Sequence, residues 1–113
     1  MKKMRTLKKN YEFQNVLDKG KFYKGNQITI YIMKDRKMEN CIGIAISSKI
    51  CNAVKKNAVR RKIREVYRLI ERRLDTGYRI VFLWNKKVAV EQADFHVIMN
   101  DMETIFLKAG LLR

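Results

Sequence analysis

Apolar residues return every three or four positions between residues 54 and 74. Val59, Ile63, Val66, Tyr67, Ile70 and Leu74 fall on one face at about 100° per residue. That spacing predicts a helix over 54–74, roughly 30 Å long at about 1.5 Å per residue. Residues 27–33 follow a period of two instead. Ile28, Ile30 and Ile32 point one way, and Gln27, Thr29, Tyr31 and Met33 the other, which predicts a strand with one face in the core. Phe22 and Tyr23 begin an earlier strand piece, broken near Gly25-Asn26. Residues 35–40 are polar and predict a hairpin connection. Residues 41–47 predict the next strand, with Ile42, Ile44 and Ile46 on one face and small Gly43 and Ala45 on the other. The small side chains leave room for something to lie against that surface. Ser47, Ser48 and Lys49 close this strand.

At the amino-terminal side, Phe13, Val16 and Leu17 repeat at helical spacing. Asn10 as N-cap, Glu12 in the first turn and Gly20 as a stop predict a helix over 11–19. Asp75-Thr76-Gly77 ends the long helix, and residues 78–84 (Tyr-Arg-Ile-Val-Phe-Leu-Trp) predict a buried strand. Lys86 and Lys87 mark a loop. A last helix over 91–108 turns Phe95, Ile98, Met102, Ile105 and Phe106 inward. The order is α-β-β-β-α-β-α, an α+β fold with a sheet packed against helices. Nothing in residues 1–113 resembles a linker, repeat or low-complexity tract, so one domain is expected.

Charge changes the picture of the long helix. Lys and Arg number 26 against 11 Asp and Glu, a net charge of +15. That imbalance opposes compaction and calls for a polyanionic partner. From Lys49 through Asp75 there are ten Lys or Arg and three acids, too lopsided for an ordinary solvated face. Asn57, Arg60, Arg61, Arg64, Arg68 and Arg72 lie together opposite the apolar stripe. The planar fork of arginine suits bidentate phosphate contact and base stacking. Nucleic acid leads as partner, with an anionic membrane surface second. Asn57 is either an inconsequential surface residue or a group that meets a base edge or a sugar hydroxyl. Phe13 and Tyr31 are candidates for stacking on single-stranded bases if the first helix packs beside the sheet. Core packing is the competing fate of Phe13.

Signals for protein-based catalysis are weak. Glu91, Asp94 and His96 cluster in sequence without metal-ligand spacing, and no nucleophile-base pair, Gly-rich phosphate loop or HExxH motif occurs. Cys41 and Cys51 form no CxxC pair and fit reduced, packed thiols. No apolar stretch follows the basic amino terminus, and no run approaches a membrane span of about 20 residues. A cytoplasmic protein with no membrane association is expected.

The residues resemble the protein subunit of bacterial ribonuclease P. Arg5-Thr6-Leu7-Lys8-Lys9-Asn10 with Glu12-Phe13 is similar to that family's opening. Gly43 through Lys49 is similar to its strand and Ser-Lys turn, and Asn52-Ala53-Val54 through Arg64 to its signature basic helix. The resemblance implies a small protein that binds a large catalytic RNA, whose holoenzyme removes the 5′ leader from precursor tRNA by magnesium-dependent hydrolysis. The RNA would carry the active site and hold the Mg2+, with no catalytic residue or metal ligand on the protein and no protein partner. Phe13 and Tyr31 would line a leader-binding cleft between the first helix and the sheet. Lys56, Asn57, Arg60, Arg61, Arg64 and Arg68 would serve RNA contacts. The family pattern also implies a left-handed β-α-β crossover, a fold shared with a domain of a small-subunit ribosomal protein. Three positions depart from the pattern. Its Arg-Asn-Arg core reads Lys56-Asn57-Ala58 here, Cys51 replaces a turn glycine, and Leu17 stands where relatives often place a second cleft aromatic. Two other readings remain open: a general single-stranded or ribosomal RNA-binding module of similar fold, and a stand-alone nuclease using His96.

Overall fold

A computed structural model describes residues 5–35, 37–47, 49 and 52–112. Its elements are β1 (Arg5–Thr6), α1 (Asn10–Lys19), β2 (Lys21–Lys24), β3 (Ile28–Lys34), β4 (Cys41–Ala45), α2 (Ala53–Ile70), β5 (Tyr78–Trp84) and α3 (Phe95–Lys108). Setting aside the two-residue β1, the order is the expected α-β-β-β-α-β-α, an α+β fold with one mixed five-stranded sheet.

The sheet runs β1-β4-β5-β3-β2. β1, β4 and β5 are mutually parallel, β3 runs antiparallel to β5, and β2 runs antiparallel to β3. One expectation is corrected by this order. Residues 35–40 are not a hairpin connection, because β5 inserts between β3 and β4 and pairs with both. Phe22 and Tyr23 lie on the strand piece expected ahead of Gly25-Asn26, which forms its own antiparallel ladder with β3, with Phe22 opposite Tyr31. The real hairpin is β2–β3, and its turn is held from outside. Asp101 of α3, 3% exposed, accepts hydrogen bonds from the backbone N–H groups of Asn26 (2.9 Å), Gln27 (2.8 Å) and Ile28 (3.2 Å). A buried carboxylate is thereby satisfied by three donors that the turn could not pair internally.

One sheet face meets α2 and α3. Ile28, Ile30, Ile42, Ile80 and Phe82 are buried against Val59, Ile63, Val66, Tyr67 and Ile70 of α2 and against α3. Phe82 contacts Tyr67 and Phe106 edge-on, at 5.8 and 6.3 Å between ring centres. The inward residues expected on α3, Ile98, Met102, Ile105 and Phe106, are buried there, with Phe95 at the margin. The other face carries a smaller cluster of Leu7, Val16 and Val81, flanked by Phe13 and Leu17 of α1.

Several boundaries differ from the periodic reading. α2 ends at Ile70 and passes into a 3₁₀ turn, Glu71–Arg73. Leu74 is buried as expected but bridges Leu112 as extended backbone, and Gly77 then turns with φ +96°. Asn10 lies inside α1 and does not cap it. The capping contact comes from Glu12, whose carboxylate accepts from the N–H groups of Lys9 (3.0 Å) and Lys8 (3.2 Å). Residues 90–92 form a 3₁₀ turn, and α3 starts only after Asp94, which accepts from the N–H groups of His96 and Val97. Ser48 and Cys51 lie outside the described residues.

Candidate nucleic-acid interface

Asn52 caps α2 by accepting from Lys55 N–H at 3.0 Å. The cap and the buried stripe together fix the rotation of α2. With Val59, Ile63 and Val66 turned into the core, the arginines must face out. Arg61 and Arg68 are exposed, while Lys56, Arg60 and Arg64 are half-buried. The ion pairs among the described residues join Arg5 to Glu39, Lys55 to Glu91, Arg73 to Glu103 and Arg79 to Asp35. None of them neutralises Lys56, Arg60, Arg61, Arg64 or Arg68. Asn57 is exposed, and its Oδ1 accepts from Arg60 Nη1 at 3.3 Å. Its carbonyl therefore steadies a neighbouring guanidinium, while its NH₂ is a donor.

Phe13 is placed by α1 crossing the opposite sheet face. Its ring lies over Gly43, where an added Cβ would sit 2.5 Å from Phe13 Cε1 and 2.8 Å from Cζ. The glycine makes this approach possible, so what lies against the small-residue surface of β4 is Phe13 itself. Beside the ring opens a cleft of about 240 Å³, lined by Phe13, Leu7, Gly43, Ile44, Arg60 and Arg64 among others. Among the described residues β1 pairs with Cys41 and Ile42, and Gly43 and Ile44, next along β4, line this cleft. Arg64 Nε is buried there without a hydrogen-bond partner among the described residues. A buried, unpaired guanidinium N–H next to an aromatic ring is suited to an anion that arrives with a base.

Tyr31 is not among the residues lining this cavity, but it packs at the margin of the same Leu7–Val16–Val81 cluster as Phe13. It sits on β3, two strands away, in a same-face row that runs Gly43–Val81–Tyr31–Phe22 across the sheet. Its ring is 5.8 Å from that of Phe22, tilted by 34°. The next row on this face, Ala45–Leu83–Thr29–Lys24, is only half-covered or exposed. The two rows run side by side from β4 to the β2 edge on the sheet face that α1 covers in part. Arg68 lies one turn past Arg64, outside the cleft, and neither Lys56 nor Arg61 lines it. Sequence reasoning overlooked Leu7 and Phe22. Lys21 and Lys24 bracket Phe22 and Tyr23 alike, so their polarity does not by itself say which of the two rings is core.

His96 is exposed, and Asp94 is occupied in capping α3. Among the described residues no three His, Cys, Asp or Glu side chains gather as metal ligands. No helix of the described residues is long and apolar enough to cross a membrane.

The ribonuclease P family model matches residues 1–110. The ribonuclease P protein component of Thermoanaerobacter sp. (strain X514) is 34% identical over 110 residues, covering 97% of this chain and 93% of that protein. The ribonuclease P protein structure from Staphylococcus aureus superposes with a TM-score of 0.82 at 25% identity, covering 98% of this chain and 100% of that one. The fold also matches that of the Thermotoga maritima protein, with a TM-score of 0.81 at 21% identity, covering 94% and 97% of the two chains. The chain belongs to the ribonuclease P protein family, the protein components of the ribonucleoprotein endoribonuclease that matures tRNA 5′ ends.

Proposed function

We propose that the chain binds the ribonuclease P RNA through the outer arginines of α2 and grips the single-stranded 5′ leader of precursor tRNA on the sheet face that α1 covers in part. The observation that carries this reading is the juxtaposition of the Phe13 ring, held on Gly43, with Arg60 and the unpaired Nε of Arg64. An unpaired nucleotide offers what this site lacks, a base face for the ring and a phosphate for the guanidiniums. Arg61, Arg68 and Lys56, without acidic partners among the described residues, extend the positive surface onto the RNA subunit. The NH₂ of Asn57 donates to a base edge or sugar beside Arg60. Tyr31 stacks further along the leader.

The division of labour follows from charge. Two RNAs repel each other, and a +15 protein at their junction reduces that repulsion. On this reading bond cleavage and the magnesium ions belong to the RNA, as the resemblance to the family implies. The protein's own steps are binding, orienting and excluding water around the leader.

The test is reconstitution with the cognate RNA and precursor tRNA carrying or lacking a leader. Protein should tighten binding of the leader-bearing substrate selectively and lower the magnesium concentration needed for cleavage. Equal tightening of both substrates would instead favour a general RNA-binding module.

A further inference from the structure

Phe22 is 62% exposed, yet its ring is not isolated. It lies opposite Tyr31 on the β2–β3 ladder and within 5.8 Å of its ring. The neighbours on the strand divide by face. Tyr23 packs on the main core, and Lys21 Nζ lies 5.5 Å from the centre of the Tyr23 ring, on that side. Phe22 and Lys24 share the opposite side with Tyr31 and Thr29. The β2 edge therefore ends this face with an aromatic pair and a cation, about 14 Å from β4 at three inter-strand steps.

An exposed aromatic on an edge strand invites either another strand or a stacking ligand. The lysines on both sides of the Phe22-Tyr23 pair oppose a second copy of a chain already at +15, and they favour a polyanion. The aromatic pair is continuous with the row that starts at Gly43 beneath Phe13. We infer that Phe22, backed by Tyr31 and flanked by Lys24, is an outer base-stacking position that extends the RNA-binding face to the sheet edge and holds leader nucleotides distant from the cleavage site. This inference rests on the leader-binding reading, with the α2 arginines at the end of that face nearer the cleavage site.

The experiment measures substrate affinity of the reconstituted holoenzyme for precursor tRNAs with a short leader and with a long one. Wild type, Phe22→Ala and Phe22→Tyr are compared. Wild type should bind the long-leader substrate more tightly. Phe22→Ala should weaken long-leader binding by about fivefold or more and leave short-leader binding unchanged, and Phe22→Tyr should retain the wild-type difference. Because the side chain is largely exposed, the thermal midpoint of Phe22→Ala should match wild type. Long-leader affinity of Phe22→Ala equal to wild type overturns the inference alone. An equal loss on both leaders also overturns it, since that reports a structural role. A wild-type holoenzyme indifferent to leader length overturns the leader-binding reading itself.

Discussion

Gly43 and Asp101 show how single residues set the site. The Phe13 ring occupies the space a β-carbon at position 43 would need. Gly43→Ala should therefore displace Phe13, lower stability by about 1–3 kcal/mol through overpacking, and weaken leader binding. Paired thermal unfolding and leader-binding measurements check this, and unchanged binding would free the site from its dependence on the Phe13–Gly43 contact. Asp101→Ala would leave three backbone N–H groups of the β2–β3 turn unpaired, two of them at buried residues. A loss of about 3 kcal/mol in denaturant unfolding is expected. At Cys41, burial pushes the thiol pKa up, and the nearby Glu12 charge adds to the shift. In a Cys51→Ser background, Cys41 should alkylate more slowly at mildly alkaline pH than a free cysteine does.

At the scale of elements, α1 and α2 carry the two halves of the proposed grip. Backbone N–H groups of Lys9 and Lys8 hold the Glu12 carboxyl below its ordinary value of 4.5. A depressed carboxylate contributes fully above its unfolded-state pKa, and the contribution disappears as pH falls through the folded value. The first turn of α1 should consequently fray on acidification below about pH 4.5. Hydrogen exchange at the Lys8 and Lys9 amides would report it, and Glu12→Ala should show the frayed state already at neutral pH. On α2, Arg60→Ala and Arg64→Ala should each flatten the salt dependence of leader binding, by about 0.7 in the log–log slope for each phosphate no longer neutralised. Phe13→Ala should reduce affinity while leaving the slope nearly unchanged, because stacking releases no counterions. A slope that falls equally for Phe13→Ala would mean the ring acts only by holding the arginines.

For the whole molecule, the sheet separates two tasks. One face is filled by α2 and α3 and supplies most of the core, while the other is only partly covered by α1 and remains open to a ligand. The excess positive charge lies outside the core, with the α2 stripe unneutralised by acids among the described residues. Binding of the cognate RNA should therefore stabilise the fold by mass action, by about 2.7 kcal/mol at a free RNA concentration 100 times Kd. Thermal melts with and without RNA at low and high salt would check it. The stabilisation should shrink as salt rises.

Local periodicity was enough to read the helices, the strand faces and the arginine stripe. Burial alternating every second residue, or every third and fourth, follows from the geometry of one element. On that basis Val59, Ile63, Val66, Tyr67 and Ile70 face inward and Arg60, Arg61, Arg64 and Arg68 outward, and residues 78–84 form a strand with the bounds their pattern predicts. The same reasoning extended α2 over Leu74, because a buried leucine at helical spacing looks identical whether it ends a helix or bridges to Leu112. Only the tertiary structure decided that β5 lies between β3 and β4, and that Asp101 is buried as the anchor of a distant turn. It alone set Phe13 on Gly43 beside Arg60, and Tyr31 next to Phe22. These arrangements depend on contacts between segments far apart in the chain, such as Asp101 with Gln27, 74 residues away. Their energy comes from docking one element on another, and no repeat within a single element records where its neighbour will sit.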